Sequence, residues 1–313
     1  MKRGFLLGKK VTPAAPAAPA QPAPPPPSTA SSPMSPLPLA STASFPTTPA
    51  DSSTLHWTFH PSSTAADLAL HATGQTLAAL RSTPCFSSPS PPPLPSLPPI
   101  YEIREVPGKG KGLISTTDLP ADTLVLLDRP LLVWQPGALP RPHLNALLSH
   151  ALSRLKPEKQ EEFLALSNCF PTSSDSALLG RAETNGLPVV HLADLPPSSQ
   201  ADEVTYTGVF PLASRLNHSC DANCRLEFSA REWRLAVRTN RAVKRGDELC
   251  ISYIVPFQTR DMRRAELKLK YRFLCQCAWC SLPDDLSAKK DEERERMAKE
   301  FLRQWDAQQM GER

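Results

Sequence analysis

Apolar and polar side chains alternate along residues 100–106, and this period of two is typical of a half-buried β-strand. The glycine-rich stretch 108–112 predicts a turn directly after that strand. Two short runs rich in apolar residues, 113–116 and 123–127, predict two further strands. We therefore expect the folded part of the chain to begin as a β-sheet.

The period changes to that of a helix in the middle of the chain. Pro157 can open a second helix there, because proline is tolerated in the first helical turn. Residues 135–205 are therefore predicted to form a mostly helical insertion between two β-rich parts. The apolar residues of the first helix that fall on one face are Leu144, Leu147, Leu148, Ala151, Leu152 and Leu155.

Alternation returns in the last third of the chain. The runs 226–228 and 233–237 alternate around a short polar connection, which indicates a β-hairpin. A turn at Gly246 then precedes an apolar strand over residues 249–254. The insertion is thus expected to lie between two β-rich parts of one domain.

The final segment, residues 291–308, is charged and rich in helix-forming residues. Its apolar positions are spaced by four, so they fall on one face of a helix. We expect a terminal helix with a narrow apolar face formed by Met297, Phe301 and Trp305.

The first hundred residues have a different composition from the rest. They contain 22 of the 36 prolines and few large apolar side chains. Such a segment buries too little surface to offset its chain entropy, so we predict that residues 1–98 are mostly disordered. One stretch, 65–80, could form a short helix, although the sequence indicates no packing partner for it.

The chain has a net charge of +4 and a pI near 8.6, which permits acidic partners without requiring them. It contains no run of 18 apolar residues, so no membrane span is expected. The apolar stretch after Met1 is too short for a secretory signal. We therefore expect reduced cysteines, whose clustering favours a metal site over disulfides.

Three cysteines, Cys275, Cys277 and Cys280, lie within six residues. A structural zinc ion takes four ligands and prefers thiolates, so this spacing implies a fourth ligand elsewhere. Cys220 and Cys224 are the two candidates. The remaining cysteines are interpreted as ordinary buried or surface thiols: Cys85, Cys169 and Cys250.

Four motifs, separated along the chain, resemble in sequence and in order those of the SET-domain protein methyltransferases, in particular the SMYD group. The insertion contains a single cysteine, Cys169, so the chain resembles the small fungal-type SET proteins without a zinc-binding MYND module. The motifs are Gly110-Lys-Gly112-Leu113, Asn217-His218-Ser219-Cys220, Gly246-Asp-Glu248 leading to Ile251-Ser-Tyr253, and Cys275-Gln-Cys277-Ala-Trp-Cys280.

The resemblance implies an α+β, mainly β fold with a SET-domain β-clip core, a helical insertion and a zinc-bound post-SET segment. On this interpretation the SET domain covers residues 99–273 and contains the insertion at about 135–205. The post-SET zinc segment covers residues 274–283, and a terminal helix covers 284–313.

The resemblance also implies roles for individual residues. Tyr253 would be the catalytic tyrosine, and Tyr206 would line the channel for the target lysine. The zinc ligands would be Cys220, Cys275, Cys277 and Cys280. S-adenosyl-L-methionine would be bound by Lys109, Gly110, Lys111, Gly112, Asn217, His218, Tyr253 and Phe273.

The expected function is therefore S-adenosylmethionine-dependent methylation of a lysine on a histone or non-histone protein, by a monomer in the nucleus or cytoplasm. The alternative is a catalytically inactive SET-fold adaptor that binds protein partners. A zinc-ribbon nucleic-acid binder is disfavoured, because residues 282–285 are acidic where a basic stripe would be needed. The start of the chain loosely resembles SNAG-type repressor tags, which would imply a chromatin complex.

Overall fold

The computed structural model describes residues 55–60, 65–88, 91–170, 177–189, 206–255 and 257–311. Its strands are β1 (Leu55–His60), β2 (Leu68–Thr73), β3 (Tyr101–Val106), β4 (Gly110–Ser115), β5 (Leu124–Asp128), β6 (Leu132–Trp134), β7 (Gly186–Val189), β8 (Tyr206–Val209), β9 (Asn217–His218), β10 (Cys224–Ser229), β11 (Arg234–Thr239) and β12 (Glu248–Ile251). Its α-helices are α1 (Gly74–Arg81), α2 (Pro84–Ser87), α3 (Arg141–Arg154), α4 (Pro157–Leu164), α5 (Ala177–Asn185), α6 (Arg260–Tyr271) and α7 (Asp284–Gly311), and Ala213–Arg215 form a 3-10 turn.

These strands form three sheets with the orders β1-β2-β6-β8-β7, β10-β11-β5 and β3-β4-β12-β9. Most neighbouring strands run antiparallel, but β2 pairs with β6 and β12 pairs with β9 in parallel. Mixed sheets with helices packed on them confirm the predicted α+β class. Among the described residues, no helix is long and apolar enough to cross a membrane.

The strands predicted from alternation are present at their expected places. In β11, Leu235, Val237 and Thr239 are fully buried while the residues between them are partly exposed. The predicted hairpin joins β10 to β11 in antiparallel register from Cys224 opposite Thr239 to Ser229 opposite Arg234. Helices α3 and α4 also form as predicted, and α7 contains the predicted terminal helix.

The prediction of disorder over residues 1–98 is wrong for residues 55–60 and 65–88, which contain β1, β2, α1 and α2. Strand β2 lies between β1 and β6, and Leu68, Leu70 and Ala72 are almost completely buried. The predicted 65–80 helix is also wrong in its first half. That half is strand, and α1 begins only at Gly74, where the Thr73 hydroxyl accepts a hydrogen bond from the Thr76 amide.

The prediction relied on the high proline content of the region. The apolar residues of β2 are few, but their spacing is that of a strand. Cys85, which we placed in a disordered tail, is 1% exposed in α2 and belongs to the main core cluster. Residues 1–54, 61–64 and 89–90 of the predicted disordered region lie outside the described residues.

The insertion is more mixed than the sequence indicates, since β7 follows α5 directly and pairs with β8. Helix α6 was not predicted at all, because Leu267 is its one fully buried apolar residue. Its ends nevertheless carry ordinary helix signals. The Thr259 hydroxyl accepts from the Met262 amide, and Arg272 takes a left-handed conformation with φ of 62° after the last turn.

Candidate functional site

A cleft of about 440 Å³ opens where the four-stranded sheet, the insertion and the chain after α6 meet. The glycine turn contributes Lys109 and Lys111, and β9 contributes Asn217 and His218. The volume of the cleft, and its lining of both polar and apolar residues, are appropriate for a cofactor or small ligand. The other lining residues are Pro107, Gly108, Leu166, Ser167, Asn168, Cys169, Thr184, Asn185, Ser214, Arg215, Tyr253, Tyr271, Phe273, Leu274, Cys275, Gln276 and Cys277.

Sheet pairing explains why residues so distant in sequence share this cleft. Strand β12 pairs with β4 on one side, with Glu248 opposite Ile114. On its other side it pairs in parallel with β9, which places Cys250 beside Asn217 and Ile251 beside His218. The glycine turn, the β9 residues and the end of β12 are therefore neighbours.

Glu248 links two of the predicted cofactor residues. One carboxylate oxygen accepts from Lys109 Nζ at 2.6 Å, and the other accepts from Asn217 Nδ2 at 2.8 Å. Burial lowers the pKa of Lys109, but the hydrogen bond from its amine to Glu248 outweighs this and raises the pKa overall. The lysine is thus held as a cation at the mouth of the cleft.

Gly112 makes this arrangement possible. A Cβ at this position would lie 2.8 Å from Asn217 Nδ2 and 2.9 Å from Glu248 Oε1. Gly110 serves the turn instead, because its φ of 75° lies in the left-handed region. These two glycines shape the strand and turn, whereas Lys109 and Lys111 are the lining residues.

His218 is buried between the cleft and the cysteines. Its Nδ1 accepts from the Tyr253 backbone N–H at 3.1 Å, and its Nε2 lies 3.3 Å from Cys220 Sγ. Burial lowers the pKa of His218 to about 4, so the ring is neutral at physiological pH. With Nδ1 acting as an acceptor, the single ring proton is assigned to Nε2 and faces the sulfur. This ring orients its neighbours and is not placed as a general base.

Tyr253 is fixed by its hydroxyl, which donates to the Leu216 carbonyl at 2.7 Å. Burial raises its pKa, so the phenol stays protonated. Its ring lies 4.8 Å from the ring of Tyr271, between centroids, and 5.3 Å from His218. Phe273 completes the aromatic wall at 6.0 Å from His218.

Sequence reasoning gave no role to Tyr271, which lies two residues before Phe273, or to Glu248, which was quoted only as part of a motif. Tyr271 is the last residue of α6, and the left-handed turn at Arg272 directs the chain into Phe273. Cys169 also lines the cleft, and its backbone N–H donates to Thr184 Oγ1 at 3.1 Å. The place of Tyr271 and Cys169 in the cleft, and of Glu248 behind Lys109 and Asn217, follows from tertiary structure and from no spacing in the sequence.

Tyr206 lies elsewhere. It is 2% exposed in the main core cluster, and its hydroxyl is 3.2 Å from Thr76 Oγ1. It does not belong to the described residues that line the cleft. Its predicted place in a target-lysine channel therefore stays a prediction.

Four cysteine sulfurs gather at one end of the cleft. Cys220, Cys275, Cys277 and Cys280 have their Sγ atoms within 4.8 Å of one another. Cys220 Sγ lies 3.9 Å from Cys275 Sγ and 3.6 Å from Cys280 Sγ. Zinc–sulfur bonds of about 2.3 Å in a tetrahedron place sulfurs roughly 3.8 Å apart, so the cluster has the dimensions of a four-thiolate metal site.

Geometry also decides between the two candidates for the fourth position. Cys224 is buried in β10 and is not a member of the sulfur cluster. Within the cluster, hydrogen bonds from Cys220, Cys275 and Cys280 lower the pKa of the Cys277 thiol far below its usual range. Hydrogen bonds from the other cluster thiols raise the pKa of the Cys220 thiol instead, so the four sulfurs share protons among themselves.

Residues 110–254 match the family model described as SET domain. The chain is 28% identical over 185 residues to histone-lysine N-methyltransferase set5 of Schizosaccharomyces pombe, covering 59% of this chain and 51% of the relative. It is 39% identical over 77 residues to mouse histone-lysine N-methyltransferase SMYD3, covering 25% and 18%. Over 74 residues it is 42% identical to histone-lysine N-methyltransferase ASHR1 of Arabidopsis thaliana, covering 24% and 15%.

The chain thus spans about half the length of the first of these relatives and less of the others. The matched region contains residues 110–112 of the glycine turn, β9 and β12, which lie on one side of the cleft. Over residues 110–254 the chain is therefore similar to SET domains, and the relatives that it resembles are named histone-lysine N-methyltransferases.

Proposed function

We propose that this chain is an S-adenosylmethionine-dependent protein-lysine N-methyltransferase. The observation that carries the proposal is the single cleft in which a tyrosine pair, Tyr253 and Tyr271, lies beside Lys109, Asn217 and His218. S-adenosylmethionine, when bound, supplies a sulfonium methyl group to the lysine amine. The remaining catalytic requirements fall on the residues of this chain.

The cleft residues fit such a cofactor by their chemistry. Lys109 offers a cation for a carboxylate, and the Asn217 side chain is pre-oriented by Glu248. Phe273 and His218 offer ring faces for an adenine. These residues would hold the cofactor, with Lys111 and the two supporting glycines completing the turn.

The aromatic residues would prepare the reacting amine. A lysine has a pKa of about 10.4 in water, and a water-excluding aromatic channel lowers it because burial disfavours the charged form. Tyr253 donates its hydroxyl proton to Leu216, so the phenol oxygen keeps lone pairs for weak C–H···O contacts with a methyl group. The role assigned to the protein is to align the reacting groups and to exclude water. No general base is assigned.

The cysteine cluster is proposed to hold a structural zinc ion through Cys220, Cys275, Cys277 and Cys280. The support is the fit of the sulfur distances to a tetrahedral site and the four-thiolate donor set, which zinc prefers. Zinc would fix the chain after α6, and with it Phe273, against the cleft.

The proposed substrate is a lysine of a histone or another protein, since the relatives are named histone-lysine N-methyltransferases. A monomer acting in the nucleus or the cytoplasm, with no direct binding of nucleic acid, is proposed. Association with a chromatin complex through the N-terminal tail concerns residues outside the described part of the chain.

The test is transfer of labelled methyl groups from S-adenosylmethionine to a protein extract and to histones. Tyr253→Phe should reduce incorporation by at least about tenfold, because it removes the hydroxyl and leaves the Leu216 carbonyl without its donor. Tyr101→Phe is the matched control, since Tyr101 lies in β3 and does not line the cleft. Equal incorporation by wild type and Tyr253→Phe would refute the assigned catalysis.

The alternative of an inactive adaptor makes a different prediction. Calorimetry of the purified chain should detect S-adenosylmethionine binding if the cleft is a cofactor site. Absence of binding, together with absence of methyl transfer, would favour the adaptor.

A further inference from the structure

Arginines of α6 and α7 surround the cysteine cluster. Arg263 Nη2 lies 3.9 Å from Cys280 Sγ, and Arg264 Nη2 donates to the Cys280 carbonyl at 2.7 Å. The guanidinium of Arg294 lies 4.2 Å from the centre of the Trp279 ring, within the same loop. Two helices thus hold the cysteine loop through three guanidinium groups.

Arg263 differs from the other two because it is fully buried, at 0% exposure. Its Nη1 donates to the Gln258 carbonyl at 2.6 Å and lies 3.3 Å from Asp291 Oδ1. Its Nε has no hydrogen-bond partner among the described residues. A buried cation is unfavourable unless opposite charge lies close to it.

The nearby carboxylate does not balance the arginines. Asp291 is shared, because its Oδ1 also accepts from Arg294 Nη1 at 2.8 Å. Two guanidinium groups and one carboxylate leave a net charge of +1 in this buried group. Some further negative charge must therefore face Arg263.

The cysteine cluster supplies that charge when it holds a metal. Four thiolates and one Zn²⁺ carry a net charge of −2, which is also costly to bury. Arg263 Nη2 lies 3.9 Å from Cys280 Sγ, so its guanidinium is in direct contact with that charge. The two excess charges are adjacent and opposite.

We infer that Arg263 is the counter-charge of the four-cysteine metal centre and positions its ligands from α6. This inference rests on the proposed zinc site. Through Asp291, which also accepts from the Arg260 backbone N–H at 2.8 Å, the same group joins α6 to α7. Metal occupancy should therefore strengthen the packing of both helices, and loss of metal should leave a buried cation without compensation.

The experiment measures zinc affinity of the full chain by competition with a chromogenic chelator at constant pH. Arg263→Met should weaken zinc binding by about 10- to 100-fold, the usual effect of removing a group that supports metal ligands. Arg263→Lys should restore most of this loss because it keeps the charge. Arg264→Met is the matched control in the same helix, and it should change affinity by less than about threefold, since Arg264 contacts a carbonyl and no sulfur.

Asp291→Asn tests the direction of the change in zinc affinity. It removes the competing negative charge while keeping an oxygen acceptor, so zinc should bind more tightly. General damage to the helix packing would instead weaken binding in both variants. This measurement also decides the matter if Arg263→Met does not fold.

The inference is overturned if Arg263→Met and Arg264→Met have equal effects, or if Asp291→Asn weakens zinc binding. Wild-type protein that takes up no zinc would refute the proposed zinc site itself, which separates that failure from failure of the Arg263 role. Hydrogen exchange in α6 and α7 gives a second measurement, and exchange should rise in Arg263→Met and on removal of zinc.

Discussion

Replacing Gly112 with alanine tests the geometry of the cleft most directly. The new methyl group would lie 2.8 Å from Asn217 Nδ2, 2.9 Å from Glu248 Oε1 and 2.9 Å from Val106 Cγ2. These distances are shorter than van der Waals contact, and the first two atoms are hydrogen-bonded to each other at 2.8 Å. The pair must therefore separate or move out of the cleft together.

Overpacking of this size costs about 1–3 kcal/mol, and loss of a hydrogen bond to a carboxylate adds about 1.5–3 kcal/mol if the pair separates. Gly112→Ala should therefore lower the free energy of unfolding by about 1–3 kcal/mol if the pair moves together, and by about 2.5–6 kcal/mol if it separates. Because Asn217 would no longer be oriented, affinity for S-adenosylmethionine should fall by about tenfold or more.

The assay combines urea unfolding with calorimetric titration of S-adenosylmethionine. Gly137→Ala is the matched control, because Gly137 has a φ of 76° but nothing within 4 Å of the added methyl group. Backbone strain there should cost about 1–2 kcal/mol of stability without changing cofactor affinity. Cofactor affinity within twofold of wild type in Gly112→Ala, or an equal loss in Gly137→Ala, would refute the reasoning.

Three further predictions concern the core, a buried carboxyl group and the metal site. Leu70→Ala should lower the unfolding free energy by about 2–5 kcal/mol in chemical denaturation, because Leu70 is 1% exposed; a disordered segment would show no change. Burial raises the pKa of Asp128 to about 7, although the Ala213 and Leu212 amides lower it. The folded pKa is above the unfolded value, so this contribution to stability is complete below about pH 4 and is lost as the pH rises through 7. Asp128→Asn should remove that loss, and parallel slopes of unfolding free energy for wild type and variant between pH 5 and 8 would contradict it. Chelation of zinc should lower the melting temperature of wild type and of Cys224→Ser but not of Cys220→Ser, and a Cys224→Ser protein indifferent to chelator would contradict the assignment of the fourth ligand.

The sequence predicts those elements whose apolar residues carry a clear period. Strand β11 and helix α3 form because one face of each is apolar and becomes buried. Strand β12 is buried on both faces, whereas β3 forms as predicted but stays exposed along its middle four residues, with Ile103 44% exposed. Helix α6 has no such face, since its buried surface is made by Arg263 and Leu267. A periodic search for apolar residues does not find a helix that is held by a buried charge.

The residues of the candidate site also divide into those that the sequence predicts and those that it does not. Motif residues such as Lys109, Asn217 and Tyr253 could be chosen in advance and do meet in one cleft. The roles of Glu248 and Tyr271 could not be predicted, because they depend on the partners that β-sheet pairing and the end of α6 place beside them. Strand β2 was missed for a related reason, since its neighbours β1 and β6 determine its burial.

The short strand β9 has a thermodynamic consequence. His218 lies in the cleft wall and Cys220 in the sulfur cluster, and a ring nitrogen of the first is 3.3 Å from the sulfur of the second. The other ring nitrogen receives the Tyr253 amide, so one imidazole spans both sites. Occupancy of either proposed site should therefore affect a residue that the other proposed site also uses. Linkage of this kind is reciprocal: whatever factor zinc adds to cofactor affinity, the cofactor must add to zinc affinity.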